Sequence, residues 1–462
     1  MWVESAMKDV AAAKLFPANT HIFLMCEDEL RRRMRAVSSA FEAALKVDDA
    51  TTHDAAAAVR TLHAFAVKAN PLEAVVTIAK EEGFAAETAS IGEFRIAEKV
   101  YGAGGADKIV FDSPAKTLEE LHHALQLPCY LNVDNFDELE RIVALSEGRV
   151  PTFEKIAVRA TVGIRINPQT VVQTKNTALA TGGKISKFGV SLHDKGHKER
   201  LVEAFVKYHD AINLKMIHVH SGSQGLSLDT MVAGVKAIVE ELADDPRIAT
   251  LIEVVDIGGG FPVDFSTDDE TVSVRDYVAA LRRDVPTLFA PAHARLIITE
   301  FGRALCAKAG VLISRVEYVK QSGGRQIILQ HIGADLAVRT VWQPEKWPLR
   351  VFVHDKDGRR KPGASANASE LLTDVSGPCC NSGCTIMRAA DLPADVTALE
   401  DVVVVHDVGG YYHSSFCLYN LRQMPACYMY RCGEGDGAGA LKLIKKKQTV
   451  EDTMQLFATD VE

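Results

Sequence analysis

The sequence has no apolar stretch approaching the ~18 residues of a membrane-crossing helix. Its opening, MWVESAMKDVAAAKLFPANT, lacks the charged-then-apolar layout of a secretory signal. No excess of positive charge is present: 52 Lys and Arg face 61 Asp and Glu, for a formal net charge of -9. Nucleic acid needs a basic surface, so neither nucleic acid nor a membrane is an expected partner. The single basic run, KLIKKK at 442–447, reads as a solvated face. None of the 9 cysteines stands in C-x-x-C spacing. Neither a zinc site nor a disulfide framework is therefore expected, and the site residues include no metal ligands. A reducing cytoplasmic compartment is the simplest fit.

What is present is globular. Hydrophobic residues make up 47% and charged residues 24% of 462 positions, enough for two or three domains with a large core. From about residue 60, short apolar runs alternate with amphipathic helical stretches. Expected strands are 63–69, 108–112, 129–134, 162–167, 215–222, 254–260 and 295–302, with helical patterns such as 117–126 and 136–147 between them. Repeated βα units over ~270 residues suit a parallel (β/α)8 barrel, which typically takes about 250. An earlier strand, HIFLM at 21–25, precedes a helix at 28–45. After about residue 310 the texture turns to strands separated by turns, an all-β domain. The polar stretches 172–184 and 356–369 read as loops, the latter mobile.

Several residues at strand ends could carry chemistry, because active sites of such barrels lie at the C-terminal ends of the strands. Lys68 in FAVKANP is either a desolvated amine able to attack an aldehyde cofactor or a snorkelling strand-end lysine. Gly258, Gly259 and Gly260 after VVDI could let backbone N–H groups approach a phosphate, or could form a tight turn. Glu300 and Arg303 in TEFGR could meet a pyridine nitrogen and a phosphate, or only each other. His220 and Ser223 in HVHSGSQ could stack on a ring and bond phosphate; a core histidine is the plain alternative. Cys380 in SGPCCNSGC could donate a proton or be a small buried hydrophobe.

The order of these motifs is the stronger signal. The chain resembles the fold-type III pyridoxal-phosphate decarboxylases, which include the diaminopimelate, ornithine and arginine decarboxylases, and is nearest in pattern to the diaminopimelate branch. FAVKANP, ETASIGE, VFDSPAKT, LNVDNFDEL, RINP, SKFGV, HSGSQ, DIGGGFP, TEFGR, GPCC, GGYY and YN follow one another in family order from about residue 20 to 430. The resemblance implies an α/β fold: an alanine-racemase-like (β/α)8 barrel over 27–309 and a C-terminal all-β domain over 310–462. The segment 1–26 would add a strand to the β domain. It implies pyridoxal 5'-phosphate as cofactor and a homodimer with shared active sites. Lys68 would be the Schiff-base lysine and His220 the ring-stacking residue. Glu300 would hold the pyridine nitrogen, with Glu87 and Arg165 lining the site. Ser223, Gly258, Gly259, Gly260, Arg303 and Tyr411 would hold phosphate, and Cys380 would be the proton donor.

Substrate-reading positions depart from the family. Asn381 stands where relatives carry a carboxylate, and Cys384 replaces an acid. His331 in LQHIG replaces a second acid used by ornithine enzymes, and Arg339 is followed by Trp342 where a tyrosine is expected. The resemblance therefore implies decarboxylation of a diamino acid or derivative, with meso-diaminopimelate not the best substrate. Two alternatives are a catalytically inactive regulatory relative, which should lose the lysine or phosphate residues, and a racemase, which should lack the GGGFP, GPCC and GGYY set.

Overall fold

The structure is a computed structural model that describes residues 2–16, 18–49, 59–170, 181–269, 272–289, 295–367, 370–435 and 437–458. Helix Trp2–Ala12, strand β1 (His21–Cys26) and helix Glu27–Asp49 open the chain. The barrel strands follow: β2 (Arg60–Ala66), β3 (Ala85–Thr88), β4 (Ile109–Asp112), β5 (Tyr130–Val133) and β6 (Thr161–Asn167). After the two-residue β7 (Val190–Ser191) on the end of β6 come β8 (Leu214–Val219), β9 (Val254–Asp256) and β10 (Leu296–Phe301). Every barrel pairing is parallel, and the β10–β2 and β5–β6 ladders close the ring.

Local chemistry punctuates these units. Ser90, Thr117, Asn135, Ser227 and Ser273 each cap the helix that follows them. Thr117 with Glu120 and Ser273 with Asp276 form reciprocal capping boxes. Inside the barrel, Leu62, Ala64, Ala85, Val110, Met216, Val254 and Ile298 form one apolar cluster. Such layers make a barrel interior a packed core rather than a pore.

The compact barrel unit spans Arg33–Val263 and Glu270–Leu305; a second unit comprises Met1–Arg32, Asp264–Asp269 and Cys306–Glu462. The second unit contains β11 (Gly310–Arg315), β12 (Tyr318–Ser322), β13 (Arg325–Leu329), β14 (Val351–His354), β15 (Thr373–Ser376), β16 (Thr385–Ala390), β17 (Val402–Val405), β18 (Ala426–Arg431) and β19 (Ala440–Lys445). One sheet runs β14-β17-β11-β1-β18-β19, so β1 lies between β11 (antiparallel) and β18 (parallel); the other runs β12-β13-β15-β16. Helix Trp2–Ala12 packs Val3, Ala6, Met7 and Val10 into a core with Ile22, Leu24, Val311, Ile313 and Val404.

The structure departs from the sequence reading in places. Strand β3, AAET, was not expected, because Ala and Glu favour strands weakly; pairing with β2 and β4 imposes it. Strand β2 stops at Ala66, and Lys68 sits in the 3-10 turn Val67–Ala69 that follows. The stretch expected to be a mobile loop at 356–369 holds a turn tied by the Asp355 carboxylate, a His354–Arg360 bridge and a short helix, Ala364–Asn367. Residues 171–180 of the other loop, and 368–369, lie outside the described residues. Short helices such as Val338–Trp342 and Val450–Gln455 accompany the β sheets. No helix among the described residues is long and apolar enough to cross a membrane.

Candidate active site

Strand register gathers the barrel's polar groups. Arg165 on β6 pairs with His218 on β8, and His218 with Asp256 on β9. Glu87 lies in β3 beside Ala66, and Asp112 closes β4 beside Asn132. These side chains and Glu300 are buried, so each charge needs a partner.

Lys68 Nζ donates to both oxygens of Glu87, at 2.7 and 2.8 Å. Burial drives the Glu87 carboxyl up to about 8; Lys68 opposes this, while Glu300 and Asp112 reinforce it. The lysine amine is thus held by a carboxyl whose ionisation burial disfavours. Arg165 Nη1 donates to Asp112 Oδ2 at 2.7 Å and its guanidinium lies over the Phe188 ring.

Glu300 Oε2 lies 3.4 Å from His218 Nε2 and 3.6 Å from His220 Nδ1, and neither Glu300 oxygen has a hydrogen-bond partner by geometry among the described residues. Burial opposes ionisation of Glu300, but His218, His220 and Lys68 outweigh it and hold the carboxyl well below its ordinary range. Asp256 goes the other way: burial, then the nearby Glu300 charge, raise it well above its ordinary value. Two adjacent buried carboxyls thus divide the roles, Asp256 protonated and Glu300 ionised. His220 is pushed down to about 4, first by burial, so its ring is neutral at pH 7.

The glycines are tied to the same place by space. A Cβ on Gly258 would lie 2.3 Å from Val219 O, on Gly259 2.1 Å from Glu300 O, and on Gly260 2.0 Å from Gly222 O. Gly258 and Gly260 also have φ of +66° and +93°, a region that favours glycine. Arg303 Nη2 donates to Ser223 Oγ at 3.4 Å. A glycine cradle beside Arg303 and Ser223 fits a phosphate, and an ionised buried carboxylate with unpartnered oxygens fits a protonated ring nitrogen.

In the second unit, Cys380 is exposed; its N–H donates to Asn420 Oδ1 at 2.7 Å. Asn381 Oδ1 accepts the Gly383 N–H at 2.7 Å. The Arg339 guanidinium lies 5.1 Å from the ring centroids of both Trp347 and Tyr411, and its Nη1 is buried with no hydrogen-bond partner among the described residues. Tyr411 has φ of +67°. Trp342 is 59% exposed. His331 Nε2 lies 2.9 Å from Glu317 and its ring stacks on His21. Cys384 Sγ accepts from the Ala334 N–H.

A phosphate cradle, an amine and an ionised ring-nitrogen partner, all at strand ends of one closed barrel, describe a barrel enzyme that works through pyridoxal phosphate. The chain belongs to the pyridoxal-dependent decarboxylase family, whose pyridoxal binding domain matches residues 45–307. It is a pyridoxal-phosphate-dependent amino-acid carboxy-lyase of the diaminopimelate decarboxylase-like branch. A diaminopimelate decarboxylase of Zymomonas mobilis is 31% identical over 409 residues, covering 87% of each chain. That of Pseudomonas fluorescens is 30% identical over 430 residues, covering 88% of each. The crystal structure of the Helicobacter pylori diaminopimelate decarboxylase complexed with L-lysine shares the fold, with a TM-score of 0.77 at 23% identity; 96% of this chain and 99% of that chain are covered.

Sequence reading did not single out Asp112, His218 or Asp256. The signal was the spacing in HVHSG: His218 lies in β8, and His220 stands two residues on, just past its end. Asp112 and Asp256 each close a strand, the position where barrel chemistry sits.

Proposed function

We propose that the chain decarboxylates a diamino acid or derivative whose distal end presents acceptor oxygens, in a homodimer with shared active sites. The observation that carries the substrate reading is the donor pair in the second unit. Arg339 has a buried Nη1 with no hydrogen-bond partner among the described residues, and Asn381 is a neutral amide whose carbonyl oxygen already accepts the Gly383 N–H. A guanidinium and an amide suit a distal carboxylate or acyl oxygen better than a distal ammonium, which a carboxylate would hold more strongly. Free meso-diaminopimelate, which carries both, is therefore used less well than a derivative whose distal amine is acylated, and lysine and ornithine less well still.

Within the barrel, Lys68, held by Glu87, would bond the cofactor aldehyde. His220 would face the ring as a neutral imidazole. Ser223, Gly258, Gly259, Gly260 and Arg303 would hold the phosphate. Glu300 would hold the protonated ring nitrogen, with Asp256 beside it, while Arg165 and Asp112 pair in the adjoining wall. The bound cofactor supplies the electron sink for the bond to carbon dioxide. Cys380, exposed on each chain, supplies the returning proton to the partner subunit's site. Trp342 and His331 border the substrate's distal end. The nine cysteines, none in a disulfide among the described residues, suit a cytoplasmic setting. The test is kcat/KM across meso-diaminopimelate, its distal N-acyl derivative, and D- and L-lysine and ornithine. Faster turnover of lysine or ornithine than of any distal carboxylate would overturn the reading.

A further inference from the structure

β1 and β18 run parallel, with Cys26 opposite Tyr430. The register brings Cys432, just beyond β18, to the end of β1. The chain turns there into helix Glu27–Asp49, whose first turn contributes Asp28. Asp28 Oδ2 accepts the Cys432 N–H at 2.7 Å, and Arg431 pairs with Glu27 at 2.8 Å, so both segments are anchored to one another. One ligand atom each from Cys26, Asp28 and Cys432 lie within 4.8 Å of one another. Cys26 is fully buried, whereas Cys432 is exposed, which leaves an entry side.

We propose that Cys26, Asp28 and Cys432 form a binding site for a zinc-class divalent cation, with water in the fourth position. Zinc takes thiolate and carboxylate ligands at about 2.3 and 2.1 Å, which puts tetrahedral sulfurs roughly 3.8 Å apart. The three ligand atoms already lie within 4.8 Å of one another. A dication favours the thiolate form, so the two thiols release two protons to solvent as two thiolate bonds form. The site would tie the end of β1 to the segment after β18. It uses none of the groups assigned above to the cofactor or substrate.

The test is zinc content of the holoenzyme, purified with a phosphine reductant and dialysed after zinc loading. About one zinc per chain is expected to remain, near zero in Cys432→Ser. Asp28→Asn keeps an acceptor for the Cys432 N–H and should bind zinc at least about tenfold more weakly. Cobalt(II) loading should give visible bands of a tetrahedral thiolate site, where the pyridoxal group does not absorb, and Cys432→Ser should abolish them. Both substituted positions are exposed, so folding is retained. Zinc retention no greater than in Cys432→Ser overturns the proposal, as does a Cys26–Cys432 disulfide found in the reduced, zinc-loaded protein.

Discussion

The barrel unit and the β unit hold their polar groups by different means. At the barrel mouth, hydrogen-bonded strand register sets Arg165, His218 and Asp256 in one row, and their charges are mutually opposed or shared. In the β unit, Cys380 and Asn381 ride on a loop closed by the Gly377 N–H to Cys384 O and Cys384 N–H to Asn381 O bonds. A residue on a strand end cannot change type without disturbing a buried charge balance, whereas a loop residue can. This difference accords with the proposed roles, in which the barrel groups serve the cofactor and the loop groups read the substrate.

The widest separation between the two regions should come from Lys68→Ala. Loss of the amine should lower kcat by roughly a thousandfold or more, read by steady-state kinetics, with borohydride labelling of the lysine lost. A variant that keeps a tenth of wild-type activity would break the assignment.

Glu300→Gln should come next. A neutral amide cannot balance a protonated ring nitrogen, and loss of one such electrostatic partner costs about a hundred- to a thousandfold in kcat. KM should change far less. Arg339→Ala tests the β unit and should show the opposite split: kcat/KM for a distal-carboxylate substrate falling roughly ten- to a hundredfold through KM, because one charged hydrogen bond is worth about 1.5–3 kcal/mol. A kcat effect without a KM effect would erase the distinction between the two regions. Asn381→Glu should raise kcat/KM for lysine by about tenfold relative to the distal N-acyl substrate, since it restores an acceptor for ammonium.

The smallest effect concerns acid stability. Burial lowers His63 and His220 in the barrel to about 4, His413 in the β unit to about 4, and His21 and His406 there to about 3, from 6.5. Between those values and 6.5 the unfolded chain binds protons that the native chain does not, so stability falls as pH drops through this window. Tm measured from about pH 7 down to pH 5 should decrease, and hydrogen exchange should show the β unit opening more readily. Uniform protection across both units would remove the contrast.

Legibility followed physical range. Strands such as β4 and β10 were readable from their apolar, partly β-branched runs, and Lys68, His220 and Glu300, proposed above as cofactor groups, drew notice because each stands in a motif a few residues long. Strand β3 was not readable: AAET has no strand preference of its own, and its neighbours supply it. Asp256 was passed over because its protonated state depends on Glu300, which no local window contains.

By itself the sequence determined the class of fold, the cofactor motifs and the departures at Asn381 and Trp342, since these are properties of short segments and their order. Only the tertiary structure decided which carboxyl is charged, where Arg339 finds its aromatic neighbours, and that Cys432 meets Asp28 across 404 residues of chain. Cysteine spacing suggested no zinc site, and spacing reports only local geometry. Parallel pairing of the first strand with a late one brings distant residues together, and a backbone hydrogen-bond ladder has no signature in the intervening sequence.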